Sequence, residues 1–295
     1  MLIQPIPLPR SPRRLLPFLF LFLFHTVIGN GEDGIEKHEN ILNVSRVFWI
    51  TVHEDRKVPE NIWPGVTTER YIGLRGSESL VKYLTPRAKQ NVLYGRDSGK
   101  ELPSWNAVAL YLNHVEIWKK IKPGEIVAIF EEDAEMQHGT KEILESMDRV
   151  RIREGNHSWF YGDSFYLTMD AFWVKDYGCK KPSIDFAEGQ WIKDLPCHMW
   201  YGTSSYLIGA GAAKELLQNV MPIDMQIDAY VATHAISKGS SNGGTVRFAQ
   251  TTQRLYKQSL FISEVQKVDA YALYTWRDTL LLFRVLGWDT PLAGY

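Results

Sequence analysis

One segment, residues 124–133, constrains the fold of this chain more than any other. In it, the unbroken apolar run from Ile126 to Phe130 leads directly into three acids, Glu131, Glu132 and Asp133. A short continuous apolar run is typical of a strand that is buried on both faces of a parallel sheet. Three adjacent carboxylates repel one another and are costly to bury without a partner. The segment therefore indicates either a cation or basic ligand at the edge where open α/β sheets bind ligands, or a solvated acidic turn.

The first thirty residues have the pattern of a secretory signal. Three arginines precede an apolar run at residues 15–24, and small residues suitable for cleavage follow at 27–29. The run is short for a membrane span, which needs about 20 residues. We expect residues 1–29 to be a cleaved signal peptide or a single-pass signal-anchor, residues 30–45 a polar linker and residues 46–295 one domain. That domain is expected in the lumen of the endoplasmic reticulum or Golgi, or secreted.

Two glycosylation acceptor sequences agree with a luminal location. They begin at Asn43 and Asn156 and have the form Asn-x-Ser. Cys179 and Cys197 are the only cysteines. In an oxidising compartment they either pair or remain as two free buried thiols, and nothing in their spacing suggests a structural zinc site.

Composition excludes some partners and suggests others. The net charge of −1 gives no support for a nucleic-acid partner. Ten tryptophans and fourteen tyrosines supply aromatic faces that suit sugar rings, although they also serve as core material. We therefore expect no nucleic acid, and contact with a membrane only through the N-terminal segment if it is not cleaved.

Strand and helix patterns alternate along the chain from residue 46 onwards, and this alternation predicts an α/β domain. The central sheet is expected to be mostly parallel, with flanking helices. Strands are predicted at 47–52, 70–72, 126–130, 159–161, 165–169, 205–208 and 246–249, helices at 105–121, 142–150, 212–219, 227–236 and 270–287, and a long loop at 173–200.

Two familiar motifs are matched only in part by this chain. Residues 239–243 match the nucleophile elbow of hydrolases, but no histidine follows Ser241, as the triad order on that fold requires. Residues 209–211 resemble half of a dinucleotide fingerprint, but Lys214 occupies the position of its third glycine. Since no glycine-rich phosphate loop is present either, nucleotide phosphates would have to be neutralised by a metal and by scattered basic groups.

Five segments follow one another in an order typical of a known family. A strand and charged loop at 47–56 end in an arginine, and Asn113–Trp118 fits Ser-His-x-x-x-Trp with asparagine in place of serine. Residues 129–134 resemble a Leu-Glu-Asp-Asp-Ala metal motif, residues 202–217 a Gly-Thr-x-x-Tyr-x-Ile strand with its helix, and residues 222–224 a Pro-x-Asp motif. Over residues 46–260 the chain thus resembles the family-25 glycosyltransferases, which include lipopolysaccharide and collagen hydroxylysine galactosyltransferases.

The resemblance implies a GT-A type nucleotide-sugar-binding fold and a set of site residues. Asp133 and Glu131 would coordinate Mn²⁺, and Glu132 replaces the family's aspartate with a side chain one methylene longer. The nucleotide-sugar-binding residues would be Arg56, Glu131, Glu132 and His114. Asp224 is the first candidate for the catalytic base that takes the acceptor proton, and Asp228 is the second.

Other interpretations of these residues remain open. His114 also suits a packing role, Asp224 also suits a helix cap, and Arg56 also suits a pair with a neighbouring acid of its loop. Ser204 stands where many relatives carry a histidine, so the contact made by that strand differs here.

The functional prediction is a metal-dependent, inverting hexosyltransferase of the secretory pathway. It would move galactose or glucose from a UDP-sugar donor to a hydroxyl of a glycan or glycoprotein acceptor. The alternative is a non-catalytic glycan-binding or adhesion protein that retains the fold. A glycoside hydrolase fits less well, because its two carboxyls must flank the sugar from different elements.

Overall fold

The computed structural model describes residues 40–96, 98, 100–157, 160–170, 173–176, 191–194, 198–239 and 246–258, all within the compact unit His38–Tyr295. The predicted signal or anchor, both cysteines and the predicted helix at 270–287 lie outside the described residues. Within the described part, no helix is long and apolar enough to cross a membrane.

Eleven strands and five α-helices make up the described part of the fold. The strands are β1 (Val44–Thr51), β2 (Thr68–Ile72), β3 (Ile126–Glu131), β4 (Ala134–Met136), β5 (Phe165–Thr168), β6 (Trp173–Asp176), β7 (Ile192–Asp194), β8 (His198–Tyr201), β9 (Ser205–Gly209), β10 (Arg247–Thr251) and β11 (Tyr256–Gln258). The helices are α1 (Pro86–Tyr94), α2 (Trp105–Trp118), α3 (Thr140–Glu154), α4 (Ala210–Leu217) and α5 (Ile227–Gly239), with short 3₁₀ turns at Ile41–Asn43, Glu78–Tyr83 and Gly155–His157.

The central sheet has seven strands in the order β2-β1-β3-β9-β5-β10-β7. Strand β1 pairs in parallel with β2 and β3, and β5 pairs in parallel with β10, whereas β9 runs antiparallel to both β3 and β5. Strand β7 is antiparallel to β10 at the edge. Five of the seven strands therefore point the same way, and the predicted α/β fold with a mostly parallel central sheet is confirmed.

Both faces of the sheet are covered, as the apolar run of β3 predicts. Val127 and Ile129 belong to a core cluster with α2, α4 and α5, while Ala128 and Phe130 belong to a second cluster that includes Met147 of α3. Because successive side chains of a strand point to opposite faces, a strand in the middle of two helix layers must be apolar throughout. Only its carboxyl end can carry the acids.

The reversed strand β9 brings a second chain segment to the acidic end of β3. Phe130 is opposite Ser205, and the backbone N–H of Glu131 donates to the carbonyl of Ser204 at 2.8 Å. The residues that precede β9 therefore lie beside the residues that end β3. This antiparallel neighbour is what gathers polar side chains from distant parts of the chain at one edge.

Three local predictions differ from the structure. Phe160 and Tyr161 lie in a turn rather than a strand, and Gly162 has a φ of +79°, which a continuing strand does not tolerate. The region 173–200 was expected to be a loop, but its described residues include β6, β7 and β8, whose three or four residues are too short to show alternation. Strand β1 begins at Val44, inside the predicted linker, because Ile41, Leu42 and Val44 are buried.

Candidate active site

A pocket lies at the carboxyl ends of β1 and β3, beside the N-terminal half of α2. Its volume is about 310 Å³. Half of the wall is formed by residues 50–53 and 74–76, and the other half by four residues of α2 together with the acids 131–133. The acids predicted to be at the sheet edge are thus at the pocket, and they do not form a freely solvated turn, because Glu131 and Asp133 are buried.

Of the three acids, Asp133 is the one whose buried carboxyl group is least satisfied by hydrogen bonds. Its carboxyl is buried, and Oδ1 has no hydrogen-bond partner among the described residues. Burial raises the pKa of Asp133, and the neighbouring charges of Glu131 and Asp170 raise it further. A buried carboxylate oxygen without a partner is costly, and a bound cation would remove that cost.

Glu131 is held by two side chains on one oxygen. Its Oε1 accepts a hydrogen bond from Thr203 Oγ1 at 2.8 Å and lies 3.2 Å from His114 Nε2. Burial raises the pKa of Glu131, and the hydroxyl of Thr203 opposes part of that increase. Thr203 has this position because it lies two residues before the reversed strand β9, so a motif search along β3 alone could not find it.

Glu132 is the acid nearest to the cationic loop after β1. Its Oε2 accepts from Thr51 Oγ1 at 2.5 Å, and Arg56 Nη1 lies 3.8 Å from the same oxygen. His53 Nε2 lies 3.8 Å from Oε1. Arg56 therefore contacts the acidic segment itself, and its predicted contact with the nucleotide remains a prediction.

Asp170 is a carboxylate of the site that the sequence analysis missed. It is fully buried at the end of β5, where it accepts from the backbone N–H of Ser204 at 2.9 Å and also from the hydroxyl of Ser204. Burial raises the pKa of Asp170 to about 7. Its signal was available, since it follows an apolar strand just as Asp133 does. The serine that replaces the family's histidine therefore binds a buried acid.

The two predicted base residues have different surroundings. Asp224 Oδ1 accepts from Thr85 Oγ1 at 2.5 Å, and Thr85 also caps α1 by accepting from the N–H of Ala88. Asp228 lies in the first turn of α5, where it accepts from the N–H groups of Gly202 and Ala229. The charge of Asp228 raises the pKa of Glu131, so Asp228 is the one that is coupled to the acidic end of β3.

Two arginines that the sequence analysis did not select lie near these carboxylates. Arg75 lines the pocket, and its Nε and Nη2 donate to the carbonyl of Val52 at 3.3 and 3.0 Å. Arg96 is buried, and its charge opposes the effect by which burial raises the pKa of Asp228. Neither is adjacent to a recognised motif, and their positions depend on the packing of loops that one sequence does not define.

Two asparagines of α2 fix the wall that carries Arg75. Asn113 accepts from the N–H of Leu74 at 2.7 Å and donates to its carbonyl at 3.3 Å, while Asn106 Oδ1 accepts from the N–H of Gly76 at 3.1 Å. A Cβ at Gly76 would lie 2.4 Å from the backbone nitrogen of Asn106, so the close approach requires glycine. Asn113, which replaces the serine of the family pattern, thus holds the backbone of Leu74 in place.

The residues at the pocket fit a divalent cation in part. No three His, Cys, Asp or Glu side chains in the described ranges converge on a common point as a complete metal site. Mg²⁺-type cations in nucleotide sites are commonly held by one or two carboxylates, with substrate phosphates and water as the other ligands. Asp133, with its unpartnered Oδ1, and Glu131 provide oxygen donors of that kind.

Comparison with known proteins gives a family match. A family model described as glycosyltransferase family 25 (LPS biosynthesis protein) matches residues 84–231, half of the chain. No curated protein matches the chain. The matched stretch includes the acids 131–133 and Asp228, whereas residues 50–53 and 74–76, which form the other half of the pocket wall, precede it.

Proposed function

The chain belongs to glycosyltransferase family 25, and we propose that it transfers galactose or glucose from a UDP-sugar to a hydroxyl of a glycan or protein, with Mn²⁺ as cofactor. The observation that carries this proposal is the buried Oδ1 of Asp133, which has no hydrogen-bond partner among the described residues at the edge of a 310 Å³ pocket. A hard cation satisfies such an oxygen, and a nucleoside diphosphate completes the coordination of the cation.

The donor would occupy the pocket between the acids and the wall that carries Arg75. Asp133 and Glu131 would hold the cation, which when bound neutralises the charge that develops on the diphosphate as the sugar departs. Arg75, fixed by its hydrogen bonds to Val52, offers a guanidinium to the phosphates from the opposite wall. Arg56, which neighbours Glu132, is a second cation for the nucleotide.

Asp228 is the better-placed base for an inverting transfer. The acceptor oxygen attacks the anomeric carbon as the bond from that carbon to the diphosphate oxygen breaks, so UDP leaves with the electron pair. The acceptor proton passes to the carboxylate of Asp228. Burial raises the pKa of Asp228, which brings it closer to the operating pH that suits a general base. Asp224, bonded to the cap of α1, has a structural role instead.

A secretory-pathway location is supported by sequence features other than the pocket residues. The N-terminal pattern of residues 1–29 is that of a signal peptide or signal-anchor. Asn43 and Asn156, which begin the two acceptor sequences, are both exposed in the structure. A glycan or glycoprotein acceptor is the substrate class available in that compartment.

The departures from the family pattern do not favour the non-catalytic alternative. Asn113 fixes the Leu74 backbone, and Ser204 hydrogen-bonds to Asp170. Both replacement residues therefore make contacts that support the site. A protein that only binds glycans would have no need for the buried carboxylates Glu131 and Asp133 at the pocket, with Asp170 buried near them, because each costs free energy to bury.

The proposal is tested with Asp133→Asn and a matched control, Glu135→Gln, which changes an exposed acid two residues away. We expect Asp133→Asn to lose Mn²⁺-dependent UDP binding by about 100-fold or more, since removing a charged partner costs several kcal/mol. Glu135→Gln should bind as the wild type does. Isothermal titration calorimetry with UDP, with and without Mn²⁺, measures both. Unchanged Mn²⁺-dependent binding by Asp133→Asn would contradict the metal assignment.

A further inference from the structure

A buried chain of hydrogen bonds connects α2 and β9 to the acidic end of β3. Trp118 Nε1 donates to the hydroxyl oxygen of Tyr206 at 2.9 Å, and that hydroxyl lies 2.8 Å from His114 Nδ1. His114 Nε2 lies 3.2 Å from Glu131 Oε1. All four side chains are buried, so water does not compete for these bonds.

The direction of each bond follows from which groups can donate. An indole nitrogen can only donate, so the hydroxyl oxygen of Tyr206 must accept from Trp118. The single hydroxyl proton of Tyr206 then has one polar neighbour left among the described residues, His114 Nδ1, which must accept it. The proton of a neutral His114 is consequently on Nε2 and points at Glu131. Since Nδ1 accepts the hydrogen bond of Tyr206, it carries no proton itself, and the imidazole ring is neutral.

The opposite arrangement leaves groups without partners. If His114 carried its proton on Nδ1 and donated to Tyr206, the tyrosine hydroxyl proton would have no acceptor among the described residues. Nε2 would also become an acceptor facing the acceptor oxygen of Glu131. A buried polar group without a partner costs about 1–3 kcal/mol, so the first arrangement prevails.

We infer that His114 is a positioning residue whose tautomer is set by Trp118 through Tyr206, so that Oε1 of Glu131 is held by two donors and the second oxygen is left for the ligand. The two donors are His114 Nε2–H and Thr203 Oγ1–H. No hydrogen bond from the described residues reaches Oε2 of Glu131. This inference rests on the proposed function, in which Glu131 faces a cation or the donor.

The arrangement explains why three separated motif residues occur together. His114 and Trp118 are four residues apart and therefore lie on the same face of α2, where both reach Tyr206 on the neighbouring strand β9. The ring of Tyr206 also packs on the ring of His114, with centroids 5.6 Å apart. Each side chain would be ordinary core material alone, and together they orient one carboxylate.

The test compares His114→Leu with His114→Gln. Glutamine can place an amide N–H near the position of Nε2, whereas leucine cannot donate. We expect His114→Leu to weaken Mn²⁺ affinity by about 10- to 100-fold, the usual effect of removing an outer partner of a metal ligand. His114→Gln should recover most of that affinity. Mn²⁺ affinity is read from the electron paramagnetic resonance signal of free Mn²⁺ at fixed UDP concentration.

His234→Leu is the matched control for lost packing. His234 is also buried among aromatic rings, but its carboxylate neighbour is Glu215, 3.6 Å away. This variant should keep wild-type Mn²⁺ affinity even where its melting temperature falls as far as that of His114→Leu. Equal affinities for His114→Leu and the wild type would overturn the inference.

The tautomer is checked without any ligand. The ¹⁵N shifts of His114, assigned by their loss in His114→Gln, should show a protonated Nε2 and an unprotonated Nδ1 in the wild type. Tyr206→Phe should weaken this preference, because Nδ1 loses its donor. A protonated Nδ1 in the wild type would overturn the inference. A wild type that has this tautomer but binds neither Mn²⁺ nor UDP would instead contradict the proposed function.

Discussion

Three carboxyl groups, those of Glu131 and Asp133 at the pocket and that of Asp170 near them, are buried close together, and burial opposes their ionisation. Each has a raised pKa, and desolvation is the largest cause for all three. Ionised together without a cation, they would destabilise the folded chain by desolvation and mutual repulsion. The site therefore carries a cost in stability that the proposed cation would relieve.

This cost predicts a pH dependence for the metal-free protein. Because the folded pKa values lie above the unfolded ones, the folded state holds protons that the unfolded state releases. Stability should be greatest below about pH 4, as far as these groups are concerned, and should fall as the pH rises towards and through about 7, the pKa of Asp170. Thermal unfolding in a chelator should show a melting temperature lower by about 5 °C or more at pH 8 than at pH 5.5. Saturating Mn²⁺ with UDP should reduce that difference, and an equal or larger difference with ligand would contradict the account.

The two candidate bases give opposite expectations. Asp228→Asn should lower kcat by about 10²- to 10⁴-fold, the usual contribution of general base catalysis, with little loss of stability. Asp224→Asn should leave kcat within a few-fold and cost about 1 kcal/mol of unfolding free energy, because it weakens the bond to Thr85. Steady-state kinetics and urea unfolding of both variants separate the roles. A larger loss of kcat in Asp224→Asn than in Asp228→Asn would identify Asp224 as the base instead.

At the scale of elements, the pocket exists because rigid secondary structure supports irregular segments. Helix α2 carries Asn106 and Asn113 two turns apart, and they hold the backbone of the segment that follows β2. Thr203 and Ser204 directly precede strand β9, whose pairing places them beside the ends of β3 and β5. Loops that are held this way can present Arg75 and the acids at fixed separations, which nucleotide binding requires.

Asn113→Ala tests the role of α2 directly. The variant removes the bonds to both the N–H and the carbonyl of Leu74, so we expect a loss of about 2 kcal/mol in unfolding free energy and a weaker affinity for UDP. Asn91→Ala is a suitable control, because the side-chain nitrogen of Asn91 has no hydrogen-bond partner among the described residues. Urea unfolding and UDP titration should leave the control near wild type. If the UDP affinity of Asn113→Ala is unchanged, the wall that carries Arg75 does not contact the donor.

Some elements could be predicted from the sequence and others could not, for physical reasons. Strands β1 and β3 and helix α2 have apolar patterns long enough to be recognised, and the acids of β3 are adjacent along the chain. Strands β6, β7 and β8 are too short to show a pattern. The reversed direction of β9 has no sequence signal, because a buried strand is apolar whether its neighbours are parallel or antiparallel.

At the scale of the whole molecule, the site contains residues that lie outside the stretch matched by the family model. Residues 84–231 contain the acids, α2 and β9, whereas β1, β2 and β10 of the central sheet lie outside that stretch. Thr203 and Arg75 can be assigned to the site only when the strand order is known, whereas Asp170 follows an apolar strand and could have been recognised from the sequence. The fold class and the positions of Asp133 and Asp170 after apolar strands were therefore predictable from the sequence, and the rest of the site required the arrangement of the sheet.

The proposed transferase activity is tested most simply by measuring the UDP that the purified protein releases from a panel of UDP-sugars, with and without Mn²⁺. We expect release from UDP-galactose or UDP-glucose in the presence of Mn²⁺, and none from either donor in a chelator. Mn²⁺ and UDP together should also raise the melting temperature. No release from any donor, combined with an unchanged melting temperature, would contradict the assignment of a Mn²⁺-dependent UDP-hexose transferase.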